Sequence, residues 1–357
     1  MRCIELFAGA GGAALGLHAA GLQHAALVEW DRDACATLRA AGLGPVVEGD
    51  VRDLDAIAAV AGERVDALWS SFPCQAWSAV GHRRGAHDDR NGWPWTVDAL
   101  DRFRPAWFLA ENVRGLLTHR GDCTAAGGQG GLFGGTQPAD CPGCYFERVI
   151  LPDLRRRFAH VGWWVLDAAD YGVPQHRRRV ILWAGPAPLE QPVPTHGPGR
   201  ARPWVSMREA LALDVYCFAT HPEGAAHNAA RRVRDLSDAP CPTIGATYHQ
   251  SMGGHPWVSR PSPTVLSVGE QKGSGPGANP AKMQRASDLL YLTTGRRRLT
   301  VAECAVLQDF PAGHPWQGGV GSQYRQAGNA VPPRLAAVVG RALMDAAGGR
   351  RVAAAVG

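Results

Sequence analysis

The chain carries a cysteine, a carboxyl group and a cluster of cations that follow one another in a fixed order. Pro73-Cys74-Gln75 comes first, Glu111-Asn112-Val113 second, and Gln175 then opens a run of arginines. Proline fixes φ and turns the chain out of a sheet, so this pattern predicts a thiol presented at a strand-to-loop corner. A thiolate beside a carboxyl group and arginine side chains is suited to nucleophilic catalysis. The order of these residues therefore indicates an enzyme.

A scaffold must position these residues, and the first half of the chain alternates short apolar runs with helical patterns. This alternation predicts an α/β fold with a doubly wound parallel sheet and crossover helices. The expected strands are Cys3 to Ala8, Ala25 to Glu29, Pro45 to Gly49, Val65 to Ser70, Trp107 to Ala110 and Val180 to Ala184. Each candidate chemical residue falls at the carboxyl end of a predicted strand, where open parallel sheets place their sites.

A glycine-rich loop follows the first predicted strand and opens a helix, so its backbone can approach a ligand closely. Glu29 ends the second strand, where a ribose-binding carboxylate is expected. This pair fits a nicotinamide dinucleotide as well as S-adenosylmethionine. Trp30, which can stack on an adenine, and Asp50, which can accept from its amino group, favour S-adenosylmethionine. The candidate loop residues are Phe7, Ala8, Gly9, Gly11 and Gly12.

After Gly185 the sequence becomes rich in Gly, Pro, Ser and Thr, which predicts a smaller, irregular and mostly-β domain. Residues 186–298 hold 13 Lys and Arg against 8 Asp and Glu, an excess as large as the net charge of +5 for the whole chain. Arginine suits forked contacts to phosphates and guanine edges, although codon usage explains an arginine-rich composition equally well. We therefore expect three segments, 1–185, 186–298 and 299–357, with the last returning to the first domain.

The composition is that of a folded intracellular protein. The 357 residues are 45% hydrophobic, and the nine cysteines have irregular spacing unlike that of a secreted disulfide framework. No stretch is apolar enough to span a bilayer, so a cytoplasmic location without membrane contact is expected. His119, Cys123, Cys141 and Cys144 leave zinc binding open. Cys141 and Cys144 have the spacing of a zinc knuckle, but the spacing to the other two residues is not one of the common ones, so the sequence alone favours a reduced loop without metal.

In its motifs and their order, the chain resembles the DNA (cytosine-5)-methyltransferases of prokaryotic restriction-modification systems. The matching motifs are the glycine loop, Glu29, Pro73-Cys74-Gln75, Glu111-Asn112-Val113, Gln175 to Arg179, Leu299 to Pro311 and Gly328-Asn329. The resemblance implies a Rossmann-like methyltransferase sheet, S-adenosyl-L-methionine as cofactor, and a target-recognition domain at 186–298. It also implies double-stranded DNA as partner and nucleoid association when bound to DNA. It leaves open a cognate restriction endonuclease, and we expect a monomer.

The resemblance also assigns roles to particular residues. Cys74 would add to carbon 6 of a cytosine flipped out of the duplex, and Glu111 would hold the pairing edge of that base and share a proton with its ring nitrogen. Arg177 and Arg179 would bind the base carbonyl and a phosphate. Further residues expected at the cofactor are Pro73, Asn329 and Ala330.

Other functions remain open at this point. Methylation of cytosine in transfer RNA uses the same chemistry, although the basic insert favours duplex DNA. A nicotinamide-dependent dehydrogenase would share the glycine loop and Glu29 but gives no reason for Cys74 and Glu111. A catalytically silent DNA-binding relative is disfavoured by the same two residues.

Overall fold

The chain forms two compact units. The computed structural model describes residues 1–73, 91–119, 123, 141–212, 216–220, 233–235, 239–241, 257–259 and 296–355. Unit 1 comprises Met1–Leu166, Arg178–Pro192 and Ala336–Gly357, whereas unit 2 comprises Asp167–Arg177 and Val193–Leu335. The chain enters unit 1 for the last time at Ala336. The three functional segments expected at 1–185, 186–298 and 299–357 stay a prediction.

A seven-stranded sheet forms the centre of unit 1. Its strands are β1 (Arg2–Leu6), β2 (Gln23–Glu29), β3 (Val46–Glu48), β4 (Ala67–Ser70), β5 (Trp107–Val113), β6 (His160–Asp167) and β7 (Arg178–Gly185), in the order β3-β2-β1-β4-β5-β7-β6. The first five strands pair in parallel. β7 instead pairs antiparallel with β5, so the sheet is mixed and not parallel throughout as the alternating pattern predicted. The strands of the parallel part are buried almost throughout, as expected for strands with both faces covered.

The crossover helices begin and end at ordinary helix signals. They are α1 (Gly12–Ala19), α2 (Arg32–Ala41), α3 (Leu54–Ala61) and α4 (Trp93–Phe103), and the later helical segment contains α5 (Pro142–Tyr145) and α6 (Leu151–Arg155). The carboxylates of Asp31 and Asp53 accept the backbone N–H groups of Ala34 and Ala56, which caps α2 and α3. Gly42 ends α2 in a left-handed conformation.

Unit 2 combines a small sheet with short helices. Its strands are β8 (Tyr216–Thr220), β9 (Val233–Asp235), β10 (Trp257–Ser259) and β11 (Arg296–Arg298), and its helices are α7 (Met207–Leu211), α8 (Val301–Leu307) and α9 (Val320–Asn329). The strands pair antiparallel in the order β11-β10-β8-β9. The expected mostly-β domain of short strands is thus present among the described residues.

The segment after residue 299 belongs to unit 2 because its apolar side chains pack there. Leu299, Cys304 and Leu307 form one buried cluster with Met207 and Cys241. A capping box between Thr300 and Glu303 starts α8. This packing holds the segment within unit 2.

The last helix, α10 (Pro333–Ala355), packs closely against α1. A Cβ at position 340 would lie 2.7 Å from the Cβ of Ala20 and 3.2 Å from a methyl group of Leu17, so the backbones approach closely at this glycine. Within the described part of the chain, no helix combines the length and the apolar character needed to cross a membrane.

Candidate active site

The loop between β1 and α1 adopts left-handed backbone angles at Phe7 (φ 60°), Gly9 (φ 55°) and Gly11 (φ 85°). A Cβ at position 11 would lie 2.9 Å from the side chains of Leu38 and Leu43, so both space and backbone angle favour glycine there. Apart from Gly9 and its two chain neighbours, no atom of the described residues lies within 4 Å of the Cβ position of Gly9. Ala8 is buried, and its N–H donates to the carbonyl of Val28. The loop is fixed on β2 but leaves room for a ligand beside Gly9.

Glu29 joins the end of β2 to this loop. Its side chain is buried, and Oε2 accepts the N–H of Gly9 at 2.8 Å. Oε1 accepts the N–H groups of Trp30 and Asp31, each at 2.9 Å. Burial raises the pKa of Glu29, although the same N–H groups oppose that rise. A carboxylate has about four acceptor positions, so three backbone donors leave capacity for a ligand hydroxyl.

The two residues expected at the adenine differ in how they are held. Trp30 is 80% exposed, and such a large apolar exposed surface is available for stacking. Asp50 forms an ion pair with Arg52, whose side-chain nitrogens lie 2.5 to 3.0 Å from its carboxylate oxygens. The hydrogen bond from Arg52 lowers the pKa of Asp50. The guanidinium of Arg52 also lies 5.2 Å from the ring centre of Trp95, so Asp50 is the more constrained of the two.

The chain leaves β4 beside β5, and two contacts hold it there. Asn112 donates from Nδ2 to the backbone carbonyl of Phe72 at 3.0 Å. Phe72 is buried and meets the ring of Trp93 edge to face at 5.4 Å. A Cβ at position 92 would lie 2.6 Å from Cδ of Pro73, so Gly92 permits α4 to start against this proline. Cys74 and Gln75 lie outside the described residues, but Pro73, which precedes Cys74, is held at the end of β5.

Glu111 and Arg179 form a buried ion pair in the same unit. Nε of Arg179 lies 2.6 Å from Oε1 of Glu111, and the two side chains are 10% and 11% exposed. The antiparallel pairing of β5 and β7 aligns Val113 with Arg179, which places the guanidinium next to Glu111. A charge-assisted contact of this kind fixes the orientation of a carboxyl group.

Unit 2 contains the other half of the arginine motif. Gln175 donates from Nε2 to the carbonyl of Leu307 at 3.1 Å, and also to the side chain of Gln308. Arg177 is buried, and its Nη2 lies 2.9 Å from the carbonyl oxygen of Gly328 and 3.5 Å from that of Asn329. In this structure the guanidinium of Arg177 therefore contacts backbone carbonyl groups. Its expected contact with a base or phosphate stays a prediction.

The candidate cofactor residues in unit 2 lie at the end of α9. Gln308 donates from Nε2 to the carbonyl of Ala330 at 2.6 Å. The side chain of Asn329 is exposed, and that of Ala330 is buried. Unit 1 thus brings together the glycine loop, Glu29, Trp30, Pro73, Glu111 and Arg179, whereas unit 2 brings together Gln175, Arg177, Asn329 and Ala330.

Two positioning residues had no role in the sequence-based prediction. Gly92 contacts Pro73, and Gln308 connects Gln175 with Ala330. The Asn91-Gly92 pair before Trp93 is a recognisable turn signal, but its contact with Pro73 depends on tertiary packing. Gln308 falls within a motif of the family that the sequence resembles, although the motif alone does not identify its partners.

The amino-acid sequence is similar to known proteins over most of its length. A family model described as C-5 cytosine-specific DNA methylase matches residues 1–126 and 226–345. The type II methyltransferase M.Sau96I of Staphylococcus aureus is 30% identical over 383 residues, covering 95% of this chain and 75% of that protein. M.NgoMIV of Neisseria gonorrhoeae, also a type II methyltransferase, is 29% identical over 369 residues, covering 96% of this chain and 97% of that protein.

The fold also matches solved structures. That of a DNMT2 mutant from Spodoptera frugiperda has a TM-score of 0.61 and 16% identity, and the match covers 96% of this chain and 99% of that one. At this level of identity the likeness supports the α/β fold.

Proposed function

The chain belongs to the C-5 cytosine-specific DNA methylase family, and within that activity we propose sequence-specific methylation of a flipped cytosine in duplex DNA through a covalent adduct of Cys74. As a DNA (cytosine-5-)-methyltransferase, it acts on a ring carbon that is a poor nucleophile. Addition of a thiolate to carbon 6 moves the electron pair of the 5,6 double bond towards carbon 5, which can then attack an electrophilic methyl group. Loss of the proton at carbon 5 and of the thiolate restores the double bond.

The hydrogen bond from Asn112 to the carbonyl of Phe72 carries this proposal. It ties the residues immediately before Cys74 to the strand that bears Glu111. Because β4 and β5 are parallel neighbours, their carboxyl ends lie at the same edge, about 4.8 Å apart. A base that binds at this edge can therefore meet both the thiol and the carboxyl group.

Glu111 is proposed to hold the pairing edge of the flipped cytosine. Its carboxyl group is oriented by Arg179, so the oxygen that does not face Arg179 can address the ring nitrogen and the amino group of the base. Arg179 is thereby proposed to act through Glu111, in addition to its predicted contact with the substrate. Burial of the pair excludes water, which strengthens its hold on the base.

S-adenosyl-L-methionine is proposed as the methyl donor, consistent with the general use of this cofactor in the family. The residues of unit 1 fit a nucleoside, because Glu29 keeps an acceptor position, Trp30 offers an exposed ring and Gly9 leaves open space. When bound, the cofactor supplies a sulfonium methyl group as electrophile. β1 and β5 have only β4 between them, so the glycine loop and Glu111 are roughly 10 Å apart along the sheet edge.

Trapping with a modified base tests the covalent step. Bisulfite sequencing of DNA from a host that produces the protein first identifies the methylated sequence. A duplex carrying 5-fluorocytosine at that position should then form a complex that survives denaturing electrophoresis, because fluorine cannot leave as a proton does. Cys74→Ser should abolish the complex, and Cys304→Ser should not, since Cys304 is buried in unit 2.

The same assay separates this function from its alternative. Methylated duplex DNA without a trapped complex would contradict the role of Cys74. Methyl transfer to transfer RNA in place of duplex DNA would contradict the proposed substrate.

A further inference from the structure

Three cysteines and a histidine, none of them among the candidate active-site residues, form a compact cluster in unit 1. One ligand atom from each of His119, Cys123, Cys141 and Cys144 lies within 4.8 Å of the others. The three cysteine side chains are buried, and the histidine lies at the surface of the cluster. We propose that these four residues bind a structural zinc ion.

The distances fit tetrahedral coordination. Zinc–sulfur bonds of about 2.3 Å and zinc–nitrogen bonds of about 2.0 Å place neighbouring ligand atoms roughly 3.5 to 3.8 Å apart. The Sγ atoms of Cys123 and Cys144 are 3.4 Å apart. Nδ1 of His119 lies 3.5 Å from Sγ of Cys144 and 3.7 Å from Sγ of Cys141. A disulfide would require sulfur atoms about 2.05 Å apart, so the cluster has the spacing of metal ligands.

The residues around the cluster orient the histidine as metal sites require. Nδ1 of His119 faces the thiols, and its Nε2 lies 3.1 Å from Oε1 of Glu147. A carboxylate on the outer ring nitrogen fixes the tautomer and makes the inner nitrogen a better ligand. Gly143 allows the imidazole to approach, because a Cβ there would lie 2.8 to 3.0 Å from three ring atoms.

The local fold presents both cysteines of the Cys141-x-x-Cys144 pair to one point. Cys141 precedes α5 and Cys144 lies within it, and the N–H of Tyr145 donates to the carbonyl of Cys141 at 2.9 Å. The N–H of Gly143 donates to the carbonyl of Thr118, which brings His119 to the same helix start. A turn with this spacing is a common way to supply two zinc ligands.

The zinc would join two segments that border the proposed active site. His119 follows β5, which bears Glu111, and α5 contributes its last residue, Tyr145, to the core. The hydroxyl group of Tyr145 accepts from Nδ2 of Asn91 at 2.8 Å, and Asn91 precedes Gly92, which contacts Pro73. Cross-linking residues on either side of the long Cys123 to Cys141 interval also reduces the entropy of the unfolded chain. The zinc ion would thus stabilise the folded arrangement of these two segments without contacting the substrate.

Metal analysis of the full-length chain tests this proposal without reference to activity. The protein is purified without a histidine tag, in a thiol reductant and without chelators, and zinc is measured by mass spectrometry. We expect about one zinc per chain. Cys141→Ser and His119→Gln should each lower the zinc content severalfold, and the matched control Cys304→Ser should retain it because Cys304 lies outside the cluster.

Two further measurements keep the test decisive if a ligand variant fails to fold. Cobalt added to the wild-type chain freed of metal should give the absorption of tetrahedral thiolate-bound cobalt, and removal of zinc should lower the thermal midpoint of unfolding. A folded, reduced wild-type chain without zinc that gives no such cobalt spectrum would overturn the proposal. A disulfide between Cys123 and Cys144 in protein prepared under reductant would also overturn it.

Discussion

Nε of Arg179 lies 2.6 Å from Oε1 of Glu111, in a pair whose side chains are only 10% and 11% exposed. The two residues are far apart in sequence and are brought together by the antiparallel pairing of β5 with β7. β7, the strand that runs antiparallel to β5, thereby supplies Arg179 as the partner of the Glu111 carboxyl group. Removal of one member of such a pair leaves a buried charge without its partner.

Substitution of Arg179 should reduce methyl transfer more than cofactor binding. We expect Arg179→Lys to lower kcat at least tenfold, because lysine keeps the charge but loses the planar fork that orients Glu111. Arg179→Ala should lower kcat further and destabilise the fold by roughly 3 to 5 kcal/mol. Steady-state kinetics and calorimetry with S-adenosyl-L-methionine measure both effects. An Arg179→Lys enzyme with unchanged kcat would show that orientation by the fork is unimportant.

Gly92→Ala should displace the segment that precedes Cys74. The added Cβ would lie 2.6 Å from Cδ of Pro73 and 3.1 Å from both Cβ of Phe72 and Cζ of Phe7. Overpacking of this kind costs roughly 1 to 3 kcal/mol. We expect slower formation of the complex with 5-fluorocytosine DNA and a lower thermal midpoint. Gly115→Ala is the matched control, since in the part of the chain that the structure describes its Cβ would meet only Val113, at 3.8 Å. Equal trapping rates in the two variants would contradict the positioning role of Gly92.

Glu29→Ala should weaken binding of S-adenosyl-L-methionine at least tenfold, about 1.4 kcal/mol. The change removes both the proposed ribose acceptor and the hydrogen bond that anchors Gly9. Glu48→Ala is a suitable control because Glu48 ends the neighbouring strand and pairs with Arg39 at the surface. Isothermal calorimetry measures the two affinities. Unchanged binding by Glu29→Ala, or binding of NAD in place of the sulfonium, would exclude this site.

The ion pair of Asp167 and His176 should stabilise unit 2 in a pH-dependent manner. Burial raises the pKa of Asp167, but the hydrogen bond and charge of His176 and the N–H groups of Ala169 and Arg177 outweigh it, so the pKa lies below its ordinary 3.8. A lowered carboxyl pKa adds stability above the ordinary value, and that stability is lost as the pH falls through the folded-state pKa.

Asp167→Asn should therefore unfold at a lower temperature than the wild type at pH 6, with the difference shrinking towards pH 3. Thermal scans across this range provide the measurement. A difference that stayed constant with pH would mean that the pair does not act through its charge. Asp170→Asn is a useful comparison because Asp170 holds Trp204 at 3.0 Å in the same unit.

Exchange of the cationic segment should move target specificity and leave the chemistry intact. The excess of cationic over acidic residues lies between residues 186 and 298. Each side chain there that contacts a base edge should contribute roughly 1 to 3 kcal/mol of discrimination between base pairs. The exchanged segment should run through β11, because β10 and β11 pair, and should keep Met207 and Cys241, which pack on Leu299. An active chimera with the original methylated sequence would refute the assignment.

The sequence predicted the parallel part of the sheet well because its signals are local. Apolar runs bounded by glycine and acidic residues located β1, β2 and β5 to within a few residues of their observed ends. α9 was missed because its sequence lacks a sustained apolar period. β6 was missed although it contains the apolar run Trp163 to Leu166. The antiparallel direction of β7 depends on pairing with β5, a strand distant in the chain, which local patterns do not encode.

In the candidate site, too, the sequence indicated which residue types are present but not which residues they contact. The family resemblance gave Arg177 and Arg179 related roles at the substrate, yet in this structure Arg177 contacts the carbonyls of Gly328 and Asn329 and Arg179 contacts Glu111. Sequence motifs identified the residues, whereas their contacts arise from elements more than sixty positions away. The same holds for Gly92, because only the folded structure shows that a side chain at this position would clash with Pro73.

The contact between Gly340 and Ala20 has a consequence for synthesis of the protein. α1, which begins at the glycine loop, is made early, and α10 is made after all the other helices and strands of the structure. On the ribosome, the loop therefore lacks the packing of its own helix until the chain has been translated past residue 344, whose Met side chain reaches Gly21. α1 is therefore a crossover helix whose packing is completed only by the last helix to be made, and it should be held less firmly in a nascent chain than in the full chain.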